Sequence, residues 1–132
     1  MAVMRAGYIG FPISTRNSPA AIAHLIGKTG TKFILTTPDA PTQALAEASI
    51  AALAEAARDG SGAFKPFVVD LPRFEELYPA VEPEHFDFLP DMVTPPIDTQ
   101  CMVIHSSGST AFPKPIPFTH RNMIETSKLF CE

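Results

Sequence analysis

Short apolar runs recur along the chain and predict four strands, of which the first and the last are expected to be buried. They lie at residues 8–13, 32–36, 66–70 and 101–105. Each run has five or six residues with no helical period, which is the length and pattern of a strand. The strand predictions therefore extend from the start of the chain to its last third.

Segments with helical spacing follow or separate these runs. The first is the last turn of a helix over residues 1–6, closed by Gly7, and the second is a helix over 19–29 with Asn17 or Ser18 as cap and Gly30 as its end. The third is a long helix over 39–58, closed by Gly60. A short helical turn at 74–78 and a last helix from Thr119 follow. The apolar face of the second is Ile22, Leu25, Ile26 and Thr29, and the buried stripe of the third is Ala46, Ile50, Leu53, Ala54 and Ala57.

The order strand, helix, strand, helix, strand, long connection, strand, loop, helix predicts an α/β fold of parallel-sheet layers with flanking helices. The length of 132 residues predicts a single domain. We divide it into residues 1–98, which hold the βαβαβ portion and a proline-rich connection over 79–98, and residues 99–132, which hold a strand, a loop and a helix.

Composition removes several classes of function. The net charge of −4, with no run of basic residues, argues against nucleic-acid binding. No stretch reaches the roughly 20 apolar residues that a membrane span needs, so no membrane partner is expected. Cys101 and Cys131 are the only cysteines and do not make a secreted disulfide framework, which predicts a cytoplasmic location.

The chemistry is concentrated in residues 106–114, immediately after the fourth predicted strand. The segment reads Ser106-Ser107-Gly108-Ser109-Thr110-Ala111-Phe112-Pro113-Lys114. Small residues let main-chain N–H groups approach an anion, four hydroxyls add donors, and the lysine adds a positive charge. We expect the first N–H groups of the helix at Thr119 to favour the same negative charge. These features predict a phosphate cradle.

Other interpretations of this region are weaker. A Ser/Thr-rich surface turn has a similar composition, but the preceding strand and Lys114 favour phosphate. The Walker A spacing is absent, which disfavours a P-loop kinase or GTPase. Ser106 or Ser107 could pair with His105 or His120 in a hydrolase, but no Gly-x-Ser-x-Gly elbow is present. The spacing of the cysteines and histidines matches no standard zinc pattern.

The loop and two flanking segments carry a family resemblance. Ser-Ser-Gly-Ser-Thr-x-x-Pro-Lys is similar to the phosphate-binding signature of the adenylate-forming (AMP-binding) superfamily, which includes acyl-CoA synthetases, luciferases and peptide-synthetase adenylation domains. The segments over residues 11–20 and 105–109 resemble fungal peptide-synthetase-like carboxylic acid reductases most closely. The resemblance implies a truncated portion of the N-terminal, nucleotide-binding domain of such an enzyme.

In that family, ATP and a carboxylic acid give an acyl-adenylate and pyrophosphate. The resemblance implies that Ser106, Ser107, Gly108, Ser109, Thr110 and Lys114 hold the β- and γ-phosphates of ATP, with Mg²⁺ on the phosphates. The family's adenine-binding, ribose-binding and catalytic-lysine segments lie downstream of this loop. We therefore expect no catalytic residue in this chain, and we expect it to be inactive in isolation.

A non-catalytic alternative stays open. The family usually has glycine where this chain has Ala111, and if that position needs a positive φ, alanine costs about 1 kcal/mol or more. The scaffold could then serve binding or self-assembly. Because a truncated sheet leaves strand edges and apolar helix faces uncovered, a homo-oligomer is expected.

Overall fold

The computed structural model describes residues 2–57, 64–77, 94–107 and 112–130. The helices are α1 (Ala2–Arg5), α2 (Pro19–Thr29), α3 (Ala40–Ala56), α4 (Phe74–Leu77) and α5 (His120–Leu129). The strands are β1 (Phe33–Thr36), β2 (Phe67–Asp70), β3 (Gln100–His105) and β4 (Pro115–Thr119). Gly60, the predicted end of the long helix, and residues 79–93 of the proline-rich connection lie outside the described residues.

The chain forms two compact units. One comprises Ser14–Phe86, with α2, α3, β1, β2 and α4, and is called here the helical unit. The other comprises Met1–Ile13 and Asp87–Glu132, with α1, β3, β4 and α5, and is called the hairpin unit. The predicted division of the chain at residue 98 stays a prediction. Within the described ranges, no helix is long and apolar enough to cross a membrane.

Both ends of α2 and the start of α3 lie where the sequence predicts them. The hydroxyl of Ser18 accepts the N–H of Ala21 at 3.3 Å, and Pro19 is the first residue of α2. Gly30 ends this helix in the left-handed conformation, with φ of 64°. The carboxylate of Asp39 accepts the N–H of Thr42 at 3.0 Å and caps α3. These predicted boundaries are confirmed.

The core of the helical unit lies where α2 packs against α3. Its buried apolar residues are Ala21, Ile22, Ala23, Leu25, Ile26, Ala46 and Leu53. Ser49 is completely buried among them. Its hydroxyl can be buried without an unsatisfied donor because it donates to the carbonyl of Leu45 at 2.7 Å. The predicted stripe on α3 is wrong for Ala54, which is exposed, because the inward face is centred on Ala46, Ser49 and Leu53. Ile50 and Ala57 are half-buried.

The parallel sheet is formed by β1 and β2, which confirms the predicted α/β class. Phe33 pairs with Phe67 in the register, and Leu35 pairs with Val69. The two phenylalanine rings stack with centroids 5.9 Å apart, yet they are 52% and 69% exposed. Parallel sheets are normally covered on both faces. The described residues therefore leave one apolar face of this sheet open.

The hairpin unit contains a strand that the sequence analysis missed. The β4 strand pairs antiparallel with β3, with His105 opposite Pro115 and Val103 opposite Pro117. The expectation of a loop that leads directly to the last helix is therefore wrong for residues 115–119. Proline cannot donate a ladder hydrogen bond, so a segment with two prolines does not have the pattern of a strand.

The first predicted strand, over residues 8–13, is reduced to a single parallel bridge between Gly10 and Met102. The N–H of Gly10 donates to the carbonyl of Cys101 at 3.1 Å, and the N–H of Val103 donates to the carbonyl of Gly10 at 2.8 Å. Gly7 follows α1 with a φ of 78°, as predicted for a residue that closes a helix.

Candidate functional site

The predicted phosphate loop is the connection of the β3–β4 hairpin. His105 and Pro115 are opposite each other in the register, so residues 106–114 form the hairpin loop. The described part of this loop is Ser106, Ser107, Phe112, Pro113 and Lys114. Four of its residues lie outside the described residues: Gly108, Ser109, Thr110 and Ala111. Their predicted contacts with phosphate stay predictions.

Two hydrogen bonds in opposite directions close the base of this loop. The main-chain N–H of Ser106 donates to the carbonyl of Lys114 at 3.1 Å. The main-chain N–H of Lys114 donates to the hydroxyl oxygen of Ser106 at 3.0 Å. The main-chain N–H groups of both residues are thus already used. Any main-chain donors for a phosphate must come from the residues between them.

The side chain of Lys114 supplies the positive charge at the end of the loop. Lys114 is exposed, and the neighbouring Pro113 is buried. Within the described ranges, the single ion pair joins Arg121 and Asp98, so the ammonium of Lys114 forms no ion pair with a described residue. A lysine ammonium is a compact charge with three donors, which suits a phosphate oxygen. The hairpin therefore presents a cation directly beside a loop of small residues.

His105 contacts the first residue of the loop, a role that the sequence analysis did not predict. Its Nδ1 lies 3.0 Å from the carbonyl oxygen of Ser106. Since a carbonyl oxygen only accepts, Nδ1 carries the proton in this bond. The imidazole also packs edge-on against Phe11, with ring centroids 6.4 Å apart and an interplanar angle of 65°. These two contacts fix the orientation of the ring next to the loop.

The start of α5 does not serve the phosphate loop, which corrects the expectation from the sequence. The N–H groups of His120 and Arg121 donate to the carbonyls of Thr99 and Ile97 at 3.1 and 2.9 Å. The N–H of Asn122 donates to the hydroxyl of Thr119 at 3.2 Å. In addition, the five residues of β4 separate loop and helix, by about 16 Å at the usual rise of a strand.

The guanidinium of Arg121, also on the first turn of α5, is engaged in an ion pair. Its Nε lies 2.7 Å from Oδ1 of Asp98 and its terminal nitrogen lies 3.1 Å from Oδ2, which is a two-pronged contact. The hydrogen bond from Arg121 holds the pKa of Asp98 below its usual value, and the same bond raises the pKa of Arg121. Asp98 is therefore a structural partner of the helix.

The described residues contain no group of three or more histidine, cysteine or acidic side chains that could hold a metal ion. The Mg²⁺ that the family resemblance implies fits a phosphate-bound ion, since Mg²⁺ keeps several waters and takes few protein ligands. Cys101 is buried as a free thiol, with its sulfur 3.6 Å from the carbonyl oxygen of Phe118.

A shallow groove lies between β4 and α5, with a volume of about 460 Å³. The residues that line it are Ile116, Pro117, Phe118, Asn122, Glu125, Thr126 and Leu129. None of the predicted site residues is among them. The groove is therefore distinct from the hairpin loop.

Comparison with solved structures agrees with the α/β assignment. The fold is similar to that of the luciferase-like enzyme from the nonluminescent mealworm Zophobas morio, with a TM-score of 0.57 and 21% identity. That match covers 92% of this chain and 28% of the other. At this identity the likeness defines the class of fold.

The family follows from the sequence comparisons. The family model described as AMP-binding enzyme matches residues 1–131, and the chain belongs to this family. It is 37% identical to adenylate-forming reductase Nps10 of Heterobasidion annosum over 125 residues, which is 95% of this chain and 11% of that protein. It is 27% identical to the sulfoacetate–CoA ligase of Cupriavidus necator, over 94% of this chain and 22% of that ligase.

A further relative is adenylate-forming reductase Nps11 of Serpula lacrymans, which is 36% identical over 94% of this chain and 11% of that protein. The predicted resemblance to the AMP-binding superfamily and to fungal adenylate-forming reductases is thus confirmed. The chain spans about a tenth of the length of these two reductases.

Proposed function

We propose that this chain provides the polyphosphate-binding hairpin of an enzyme that activates a carboxylic acid with ATP. The observation that carries the proposal is the hairpin loop. Hydrogen bonds between Ser106 and Lys114 close its base, and the side chain of the same lysine is exposed there. Membership of the AMP-binding family supports it, because acid adenylation is the general chemistry of the related reductases and ligases.

In the proposed reaction, a carboxylate oxygen attacks the α-phosphorus of ATP. The bond between that phosphorus and the bridging oxygen breaks, and pyrophosphate leaves with the electron pair. Donors on Ser107, Gly108, Ser109 and Thr110, together with the ammonium of Lys114, hold the β- and γ-phosphates and offset the charge on the leaving group. Mg²⁺ bound to the phosphates would supply further charge neutralisation.

Ser106 belongs to the predicted contact set, but the structure limits what it can give. Its main-chain N–H donates to Lys114 and its hydroxyl oxygen accepts from Lys114. Its main-chain N–H is therefore not available to a phosphate.

We propose that the 132 residues bind polyphosphate without completing adenylation by themselves. The support is the share of the related enzymes that the chain spans, about a tenth of the fungal reductases. The acid and the nucleoside would then contact other parts of a longer polypeptide. Acid-dependent release of pyrophosphate by the purified chain would contradict this. We place such an enzyme in the cytoplasm, because two cysteines thirty positions apart do not make a secreted disulfide framework.

Calorimetric titration with tripolyphosphate tests the proposal, because this probe presents the phosphates without base or ribose. We expect Lys114→Ala to weaken binding about tenfold, the value of one charge-assisted hydrogen bond of about 1.4 kcal/mol. The matched control is Lys65→Ala, which removes the same charge from an exposed site in the helical unit and should change affinity less than about twofold.

Equal effects of the two lysine substitutions would show that only net charge matters and would overturn the assignment of the loop. Absence of binding by the unmodified chain at millimolar tripolyphosphate would overturn the proposal itself.

The open face of the parallel sheet favours one alternative, a non-catalytic protein that binds or self-assembles through this scaffold. Phe33, Leu35, Phe67 and Val69 are all more than 40% exposed on adjacent strands. Light scattering tests it: a mass that rises with concentration, returns to the monomer in Phe67→Asp, and comes without polyphosphate binding would favour this alternative.

A further inference from the structure

We infer that Ser106 is a positioning residue that acts through Lys114, and that it does not contribute to polyphosphate affinity as an independent contact. This inference rests on the proposed function. It follows from the base of the hairpin loop, where the hydroxyl of Ser106 replaces the carbonyl of the same residue as the acceptor for the N–H of Lys114.

Ser106 and Lys114 occupy the next rung of the ladder after His105 and Pro115. In a regular antiparallel pair, the two residues of such a rung exchange N–H to carbonyl bonds in both directions. Here the first of these bonds is present, since the N–H of Ser106 donates to the carbonyl of Lys114. The reciprocal bond is altered, because the N–H of Lys114 donates to the hydroxyl of Ser106 in place of its carbonyl.

The carbonyl of Ser106 is engaged elsewhere, with Nδ1 of His105 at 3.0 Å. The hydroxyl of Ser106 has therefore taken over the role of a main-chain acceptor. His105 and Pro115 form a non-hydrogen-bonded pair, because such pairs alternate with hydrogen-bonded pairs such as Ser106 and Lys114 along an antiparallel ladder. The rung of Ser106 and Lys114 is thus the place where the base of the loop is fastened.

This rung fixes the main chain from which the side chain of Lys114 extends. A lysine side chain has four rotatable bonds, so the position of its ammonium depends on a fixed main chain at its root. The hydroxyl of Ser106 fixes that main chain through the N–H of the lysine. Without the hydroxyl, the N–H of Lys114 loses its acceptor and the root of the side chain is released.

A double-mutant cycle separates positioning from direct contact. We expect Ser106→Ala to weaken tripolyphosphate binding about fivefold, as the loss of one neutral hydrogen bond allows. In the background of Lys114→Ala, we expect the same substitution to change the affinity less than about 1.5-fold, because the residue through which it acts is gone. Ser106→Thr keeps the hydroxyl and should retain affinity within about twofold.

The matched control is Ser14→Ala in the helical unit, where a serine hydroxyl also accepts a main-chain N–H, that of Arg16 at 3.3 Å. It should leave the affinity unchanged. If Ser106→Ala costs the same factor with and without Lys114, the hydroxyl contacts the phosphate directly and the inference is overturned.

Hydrogen exchange of the Lys114 amide, measured without ligand, tests the fastening itself. Exchange should accelerate about tenfold or more in Ser106→Ala and stay slow in Ser106→Thr. Unchanged exchange in Ser106→Ala would overturn the inference even if binding is weakened. Absence of tripolyphosphate binding by the unmodified chain would overturn the proposed function and with it the role of Ser106, whereas binding with additive effects overturns this inference alone.

Discussion

Each of the two compact units is stabilised internally by a different kind of interaction. In the helical unit, α2 and α3 bury a continuous apolar set with Leu25 and Ile26 almost completely enclosed. In the hairpin unit, the buried apolar residues of the described strands are Cys101 and Val103, and the described part of α5 buries none. There, hydrogen bonds take over: the rung at Ser106, the ion pair of Asp98 and the capping box of Thr119.

This difference is in keeping with the anion site that we propose for the hairpin unit. The burial of apolar surface stabilises a fold by roughly 25 cal/mol per Å², and this interaction has no preferred direction. A site that receives an anion must keep N–H groups and charges near its surface, so it is built on a loop and positioned by directed bonds. Changes in the helical unit should therefore alter stability, and changes in the hairpin should alter ligand binding.

The largest expected effect is on the core of the helical unit. Leu25→Ala should lower the free energy of unfolding by about 2–5 kcal/mol, because it removes a completely buried side chain and leaves a cavity. The control is Leu129→Ala in α5, where the leucine is 77% exposed and the loss should be within about 0.5 kcal/mol. Urea denaturation measures both. Equal losses would remove the contrast between the units.

A smaller effect is expected at the start of α5. Thr119→Ala removes the hydroxyl that accepts the N–H of Asn122 and should cost about 1 kcal/mol. The control is Thr126→Ala, at an exposed position in the middle of the same helix. Alanine has a higher helix propensity than threonine, so this change should not destabilise the helix. We expect faster amide exchange over the first turn in Thr119→Ala only. Slow exchange in both variants would mean that the cap is dispensable.

A comparable effect is expected where α2 ends. Gly30 has a φ of 64°, so Gly30→Ala should destabilise the helical unit by about 1 kcal/mol. Gly10→Ala is the control in the hairpin unit: its φ lies outside the left-handed region and an added methyl group would meet no atom within 4 Å. A thermal unfolding midpoint that falls for Gly10→Ala as much as for Gly30→Ala would contradict the argument from φ.

The smallest effect concerns the ion pair of Asp98 and Arg121, which are 69% and 48% exposed. The pKa of Asp98 is lowered in the folded chain by the hydrogen bond from Arg121. The pair therefore stabilises above the unfolded pKa of about 3.9 and loses its effect as the pH falls through the lower, folded value. Asp98→Asn should be less stable than the unmodified chain at pH 6 and equally stable at the acid end.

Urea midpoints at pH 6 and at pH 3 measure this difference, which 1 M salt should also reduce. A difference that grows as the pH falls would contradict the assigned pairing.

The helices could be predicted from sequence because their signals are local. Ser18, Pro19 and Gly30 mark the boundaries of α2 within a few residues, and Asp39 does so for the start of α3. The strand β4 could not be predicted, because Pro115 interrupts the pattern of a strand and only pairing with β3 makes the segment extended. Tertiary pairing is not visible in a local pattern.

The same limit applies to the candidate site. The composition of residues 106–114 predicts a phosphate loop, and this assignment stays a prediction. The rung between Ser106 and Lys114 was not predicted, since it depends on β4. The expected contribution of α5 to the phosphate site was wrong for the same reason: an irregular segment over 115–119 could bring the helix start back to the loop, whereas the extended strand β4 separates them. Missing one strand therefore misplaced the helix relative to the loop.

The most direct test is an NMR titration of the ¹⁵N-labelled chain with tripolyphosphate, which reports on each main-chain N–H separately. We expect shifts that saturate together and are concentrated in residues 107–112, with smaller changes at Lys114. The amides of His120, Arg121 and Asn122 should stay in place, because their hydrogen bonds are already made. Shifts centred on the start of α5, or none within the hairpin loop at saturating ligand, would contradict the proposed site.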